Sequence, residues 1–158
     1  MKGFIERGLQ GMLGKMVLAG ALLVSATLAM AQSTTPVGLW QTVDDTTGQP
    51  KALVQIVDDG SGTLSGKIVH GLGSNDDPGR RCTACTDSRK GQPMNGMTII
   101  SDMKPDGSDW DGGQILDPEN GKLYKCKMHL EDNGGKLVVR GYIGISLIGR
   151  SQTWIRQQ

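Results

Sequence analysis

Seven clusters of turn-forming residues cut residues 36 to 158 into eight short pieces, and this spacing restricts the fold more than any other feature. The clusters are Asp44 to Pro50, Asp58 to Gly62, the long Gly71 to Gly96 segment, Lys104 to Ser108, Asp117 to Gly121, Glu131 to Gly135 and Gly144 to Gly149. Asp, Asn, Pro and Gly concentrate in five of them, because these residues set or tolerate the dihedral angles of tight turns. Of the 24 glycines, five lie in residues 1 to 31, which leaves 19 in the remaining 127 residues, about twice the average usage. Eight pieces with mostly short connections predict an all-β fold: an eight-stranded antiparallel up-and-down barrel in which each strand pairs with its sequence neighbour.

The pieces carry the two-residue period of strands with one packed face and one wet face. Tyr124, Cys126, Met128 and Leu130 share a face, with Lys125, Lys127 and His129 on the other, which makes Cys126 an interior residue. Ala52, Val54 and Ile56 face inward in the second piece, Leu64, Gly66 and Ile68 in the third, and Trp110, Gly112, Gln114 and Leu116 share a face in the fifth. No stretch after residue 31 has a convincing helical repeat; the long segment has room for one helical turn. Closure requires the first and last strands to be neighbours. Gly38-Leu-Trp40 near one end and Trp154-Ile-Arg156 at the other are the residues expected to meet there.

Residues 1–31 have the pattern of a cleaved export leader. Lys2, Arg7 and Lys15 form a basic region, Met16 to Ala29 is an uncharged run of 14 residues, and Ala29-Met30-Ala31 places small residues at the two positions a signal peptidase reads. The expected organisation is a signal peptide over 1–31 and a single domain over 32–158, located in the periplasm or secreted. The leader holds three of the 17 basic and one of the 16 acidic residues, leaving 14 against 15. A domain this close to neutral, with no basic run longer than Arg80-Arg81, is not expected to bind nucleic acid. No transmembrane segment is expected in the mature chain.

Cys82 and Cys85 lie in the long polar segment. In an oxidising compartment they are expected to form a disulfide, with Cys126 held apart on its strand. A redox-active dithiol is the sharper alternative, since Arg80, Arg81, Arg89 and Lys90 would lower a thiol pKa, but the βαβ setting of such motifs is missing. His70 and His129 are the only imidazoles that could join the cysteines on a metal, and their spacing is poor, so no metal and no cofactor are expected. The many carboxylates sit in turns, where Asp bonds its own backbone. No nucleophile, base and oxyanion constellation emerges, and no enzyme is inferred.

The closing signature, Gly38-x-Trp40 with Trp154-x-Arg156, resembles that of the calycin superfamily of lipocalin-like barrels. Gly66-Lys-Ile68, Cys82-Thr-Ala-Cys85, Trp110-Asp-Gly-Gly113, Ile115-Leu-Asp-Pro118, Gly121-Lys-Leu-Tyr124 and the run from Val139 to Trp154 more closely resemble the exported bacterial domain-of-unknown-function family 2147. The resemblance implies a secreted or periplasmic small barrel and carries over no catalytic residues.

The expected function is binding of a small, partly apolar or amphipathic molecule. Trp110, Tyr124, Arg140, Tyr142, Arg150 and Gln152 are the candidate ligand contacts, and Trp40, Trp154 and Arg156 the barrel closure, with Arg156 or another arginine stacked on Trp40. The rival is a barrel without a lumen that serves as a structural or protein-interaction domain of the cell envelope. The turn Gly144 to Gly149 stands apart from the other short connections, because Ile145, Leu147 and Ile148 replace the usual polar residues. Residues 144–148 are expected to plug one end of the barrel or, failing that, to meet an envelope protein.

Overall fold

The structure, a computed structural model, describes residues 33–158; the leader expected over 1–31 lies outside the described residues. Eight strands follow in order: β1 Gly38–Val43, β2 Pro50–Asp58, β3 Leu64–Gly71, β4 Thr98–Asp106, β5 Asp109–Asp117, β6 Lys122–Glu131, β7 Lys136–Tyr142 and β8 Gly149–Gln157. Each pairs antiparallel with the next, and β1 pairs with β8 through Leu39 with Gln157, Trp40 with Arg156 and Gln41 with Ile155. The sheet is thus a closed up-and-down barrel, the architecture that the turn spacing predicts. Among the described residues two single-turn 3-10 helices occur, Gly73–Asn75 in the long connection and Asp132–Gly134 between β6 and β7.

The alternation of side chains places one set of residues inside. Trp40, Val54, Ile56, Ile100, Met103, Cys126, Met128 and Leu137 are wholly buried, and Trp154 is nearly so. Toward the lower end of the barrel, where the β2–β3, β4–β5 and β6–β7 connections lie, the interior is occupied by the two tryptophans and their buried neighbours. Arg156 completes this end. Its guanidinium lies 4.2 Å from the centroid of the Trp40 ring and donates to the carbonyls of Gly134, Val37 and Thr35 at 2.6, 2.9 and 2.8 Å. The Trp40 indole N–H donates to the Pro36 carbonyl at 2.7 Å. Gly38, at φ 143°, leaves room for this guanidinium, because a Cβ there would run into it.

Two elements depart from a simple alternation. The β4 strand runs on through Lys104, Pro105 and Asp106, so the turn to β5 shrinks to Gly107 and Ser108, with Asp106 opposite Asp109. In β5 the expected shared face of Trp110, Gly112, Gln114 and Leu116 is wrong. Trp110 pairs with Met128 but Gly113 with Cys126, an extra residue taken up by a bulge at Gly112, whose φ is 76°. Beyond the bulge the face is inverted: Gly113 is buried, and Gly112 and Gln114 are exposed. Sequence parity fails wherever one residue is inserted.

The long connection between β3 and β4 crosses the upper end and carries the disulfide between Cys82 and Cys85, which closes a short loop with a Cα separation of 5.5 Å. A ring this small removes only about 2 kcal/mol of chain entropy from the unfolded state, so it shapes the loop locally rather than holding the barrel together. The loop is docked on the β5–β6 turn by a Cys82 Sγ contact to the Pro118 carbonyl at 3.5 Å. At Gly121 (φ 71°) any Cβ would collide with the backbone of Ala84, so glycine there permits the approach. Arg80 extends the docking, donating to Asn75 at 2.5 Å and to Glu119 at 2.8 Å.

Cys126 is the free thiol, and burial first, with the Asp111 carboxylate second, pushes its pKa up to about 12. It therefore stays protonated and unreactive in the folded protein. Alkylation at pH 8 is expected to label no cysteine in the native protein, one after unfolding and three after reduction, counted by intact mass. Labelling of the native protein would show that the thiol is reached from solvent.

Candidate ligand-binding cavity

The upper half of the barrel is not filled. A cavity of about 420 Å³ opens there, walled by Ala52, Val54, Ile68, Ile115, Val139 and Trp154. Its rim is polar and includes Thr42, Lys51, Arg80, Asn120, Arg150 and Gln152. The division follows from the ladder. On β8, Arg150 pairs with Gly141, Gln152 with Val139 and Trp154 with Leu137, so one inward-facing row descends from a charge at the mouth, through an amide, to an indole at the base.

These three side chains are joined by hydrogen bonds. Trp154 donates its indole N–H to Gln152 Oε1 at 3.0 Å, and Gln152 donates its amide N–H to Asp45 Oδ2 at 2.6 Å. Arg150 meets the same carboxylate oxygen at 2.5 Å. Asp45 comes from the β1–β2 turn, and because β1 pairs with β8 it lies on the rim next to these side chains. Its neighbour Asp44 already supplies the cap of that turn, accepting from the Thr46 and Thr47 amides at 3.0 and 2.9 Å, which leaves Asp45 free to point away. Not every turn aspartate bonds its own backbone: Asp45 instead accepts from Gln152 and meets Arg150. The doubling of the aspartate is no signal by itself, because in the equally doubled Asp58-Asp59 both carboxylates accept from their own turn.

On the opposite rim, Glu119 accepts from Arg80 and lies 3.8 Å from Lys51, so these charges are paired. Tyr124, opposite Ile115 on β6, faces the cavity, and its hydroxyl accepts from Asn120 at 3.1 Å. Tyr142 also borders the cavity, but it pairs with the outward residue Lys125, and its hydroxyl donates to Asp111 at 3.4 Å. Desolvation, with the Asp111 carboxylate beside it, raises the pKa of this phenol.

Of the six expected ligand contacts, Tyr124, Tyr142, Arg150 and Gln152 therefore border the cavity, and Trp110 and Arg140 do not. Trp110 is the second residue of β5 and lies at the lower end, beside Gly107, Leu130 and Gly134, because the strand climbs from there. Arg140 alternates outward on β7. Its guanidinium donates to the Ser146 carbonyl at 2.7 Å, to the Ser151 hydroxyl at 3.0 Å and to the Leu147 carbonyl at 3.3 Å. It thus holds the β7–β8 turn from outside. For that reason the turn does not plug the barrel: Ile145, Leu147 and Ile148 are 59%, 85% and 68% exposed, though Ile148 touches the cavity rim.

Among the described residues, no three His, Cys, Asp or Glu side chains gather as metal ligands. His70 bonds the Gly71 carbonyl at 2.8 Å and His129 lies 3.2 Å from Glu131. No helix of the described residues is long and apolar enough to cross a membrane.

A family model described as uncharacterised protein conserved in bacteria (DUF2147) matches residues 38–156. The chain belongs to the DUF2147 family. The matched span runs from the first residue of β1 to the arginine that stacks on Trp40, so it takes in all eight strands save Gln157 at the end of β8. A solved structure similar to this DUF2147 barrel is a protein from Helicobacter pylori described as belonging to the lipocalin family. The two share 16% identity with a TM-score of 0.70, over 80% of this chain and 85% of the other. At that identity the likeness shows a common lipocalin-like fold. No curated protein matches.

Proposed function

We propose that this DUF2147 barrel is exported to the periplasm and holds a small, partly apolar molecule in its upper cavity. The observation that carries the reading is the apolar-walled space of about 420 Å³ with Arg150 and Gln152 converging at its mouth. Ligand sites generally combine such a volume, on the order of 300 to 1,000 Å³, with a few placed polar groups. The lower half of the same barrel is filled by its own side chains, so a solid interior was within reach of this fold. The leader-like pattern of residues 1–31 and the disulfide support an oxidising compartment.

The test is mass spectrometry of small molecules released from protein purified out of its own host, set against an Ala52→Trp variant. Ala52 stands on the cavity wall opposite Thr42 and Gly71, and an indole there would occupy the space. The expected result is a molecule that co-purifies with the wild type and is absent from the variant, with both proteins folded. Its equal recovery from both, or from neither, would refute binding in this cavity.

A second reading is favoured by the β7–β8 turn. Ile143, Ile145, Leu147 and Ile148 form an exposed apolar patch at the lip of the barrel, of the kind that meets a partner. An envelope protein docking there would sit beside the mouth.

A further inference from the structure

We infer that the mouth of the cavity is a carboxylate site, in which Arg150 and Gln152 hold the acidic head of a single-chain amphipathic ligand and Asp45 occupies that place until the ligand displaces it. The inference rests on the small-molecule reading above and names the class of ligand.

Three observations lead to it. First, the donors converge: the Arg150 guanidinium and the Gln152 amide both reach one oxygen, Asp45 Oδ2, at 2.5 and 2.6 Å. A position served by two such donors is built for a carboxylate, whichever molecule supplies it. Second, the donors are held from below. Trp154, 2% exposed at the base of the cavity, bonds the amide oxygen of Gln152 and so turns its N–H groups toward the mouth. Third, Asp45 is an easily replaced occupant. The Arg150 side chain is 67% exposed and that of Asp45 25%, so water reaches the pair mainly from the arginine side and screens it. Asp45 also sits on a turn whose own hydrogen bonds are made by Asp44, so its departure would leave that cap intact.

The remaining charges at the rim fit the same head group. Lys51 and Arg80 share the single carboxylate of Glu119, whereas Arg150 has only Asp45, so once Asp45 swings away Arg150 is the rim cation with no carboxylate in contact. Beneath it lie Val139, Ile115 and Val54, which suit an alkyl chain. An amphipath would enter tail first and exchange its own carboxylate for that of Asp45, conserving both donor contacts.

The test is displacement of N-phenyl-1-naphthylamine, a neutral fluorescent probe, by decanoic acid and by methyl decanoate at pH 7.5. Binding of the neutral probe reads the cavity itself, so its absence would refute small-molecule binding as a whole, and the head-group assignment with it. Given that binding, decanoate is expected to displace the probe at about one-tenth the concentration of the ester, as befits hydrogen bonds to an ionised group. Arg150→Gln should bring the acid-to-ester ratio toward one, and Asp45→Asn should widen it by removing the rival carboxylate. Melting curves of both variants establish that they fold. Equal displacement by acid and ester in the wild type would overturn the assignment. So would stronger displacement by decylamine that Asp45→Asn abolishes, because it would make Asp45 the ligand's partner and the site cationic in preference.

Discussion

Replacing Trp40 by Ala is expected to destabilise the barrel by about 3 to 5 kcal/mol, the usual cost of deleting a buried tryptophan. Trp40 is fully buried, stands between Val54 on β2 and Arg156 on β8, and anchors the segment before β1 through the Pro36 carbonyl. Its loss would leave a cavity at the lower end and remove the surface on which the Arg156 guanidinium is stacked, a contact worth about 0.5 to 2 kcal/mol. A domain of this size is stable by only about 5 to 15 kcal/mol, so the variant should show a much lower urea midpoint with an unchanged slope. Arg156→Met should cost less, since it removes the three carbonyl contacts but keeps apolar volume. If both variants unfold at the wild-type midpoint, pairing of β1 with β8 contributes nothing to stability and closure must be held elsewhere.

The triple variant Ile145→Ser, Leu147→Ser and Ile148→Ser is expected to keep its stability and lose whatever partner the turn engages. These side chains are already mostly in water, so little apolar area is forfeited, and surface changes of this kind usually fall within about 0.5 kcal/mol. The backbone of the turn should survive, because Arg140 and Lys125 bond its carbonyls from the outer face and the Ile143 amide meets the Ile148 carbonyl at 3.3 Å. Crosslinking in intact cells, followed by fractionation of the envelope, reads the partner. A fall of several kcal/mol in stability would mean that the turn folds over the mouth in solution. Wild-type crosslinks from a stable variant would exclude the turn as a contact.

The strands were legible because turn chemistry is local. Asp-Gly, Asn-Gly and Pro punctuate the chain at every short hairpin except β7–β8, where two glycines flank an apolar turn, and those residues need no tertiary information to act. Parity on β8 was legible for the same reason: Arg150, Gln152, Trp154 and Arg156 fall on one face of an unbulged strand. What escaped notice depended on count or on distance. The bulge at Gly112 moved Trp110 and Gly113 to a shared face; the Gly112-Gly113 pair inside a strand hinted at it, but two-residue parity alone runs straight past it. Which end of the barrel stays hollow was also hidden, since it follows from how eight inward rows fill the interior together. Asp45 reaches Gln152 across 107 residues, and only the folded barrel brings them together. Arg140 was drawn toward the ligand by its neighbours in sequence, whereas the ladder sends it to the outer surface.

The seam between β1 and β8 has a consequence for how the chain acquires its fold. Seven of the eight strand pairings join sequence neighbours and can form one hairpin at a time, whereas the eighth joins Trp40 to Arg156. Arg156 bonds Val37 and Thr35 across 119 and 121 residues, so until the last strand is in place the sheet is a curled ribbon with two unpaired margins. Pairings so distant in sequence form slowly, and exposed strand margins recruit other chains in the interval. A chain of this design is most at risk between the arrival of its seventh strand and its eighth, and shortening it by even the Trp154 to Arg156 segment would turn a sealed cylinder into an adhesive edge.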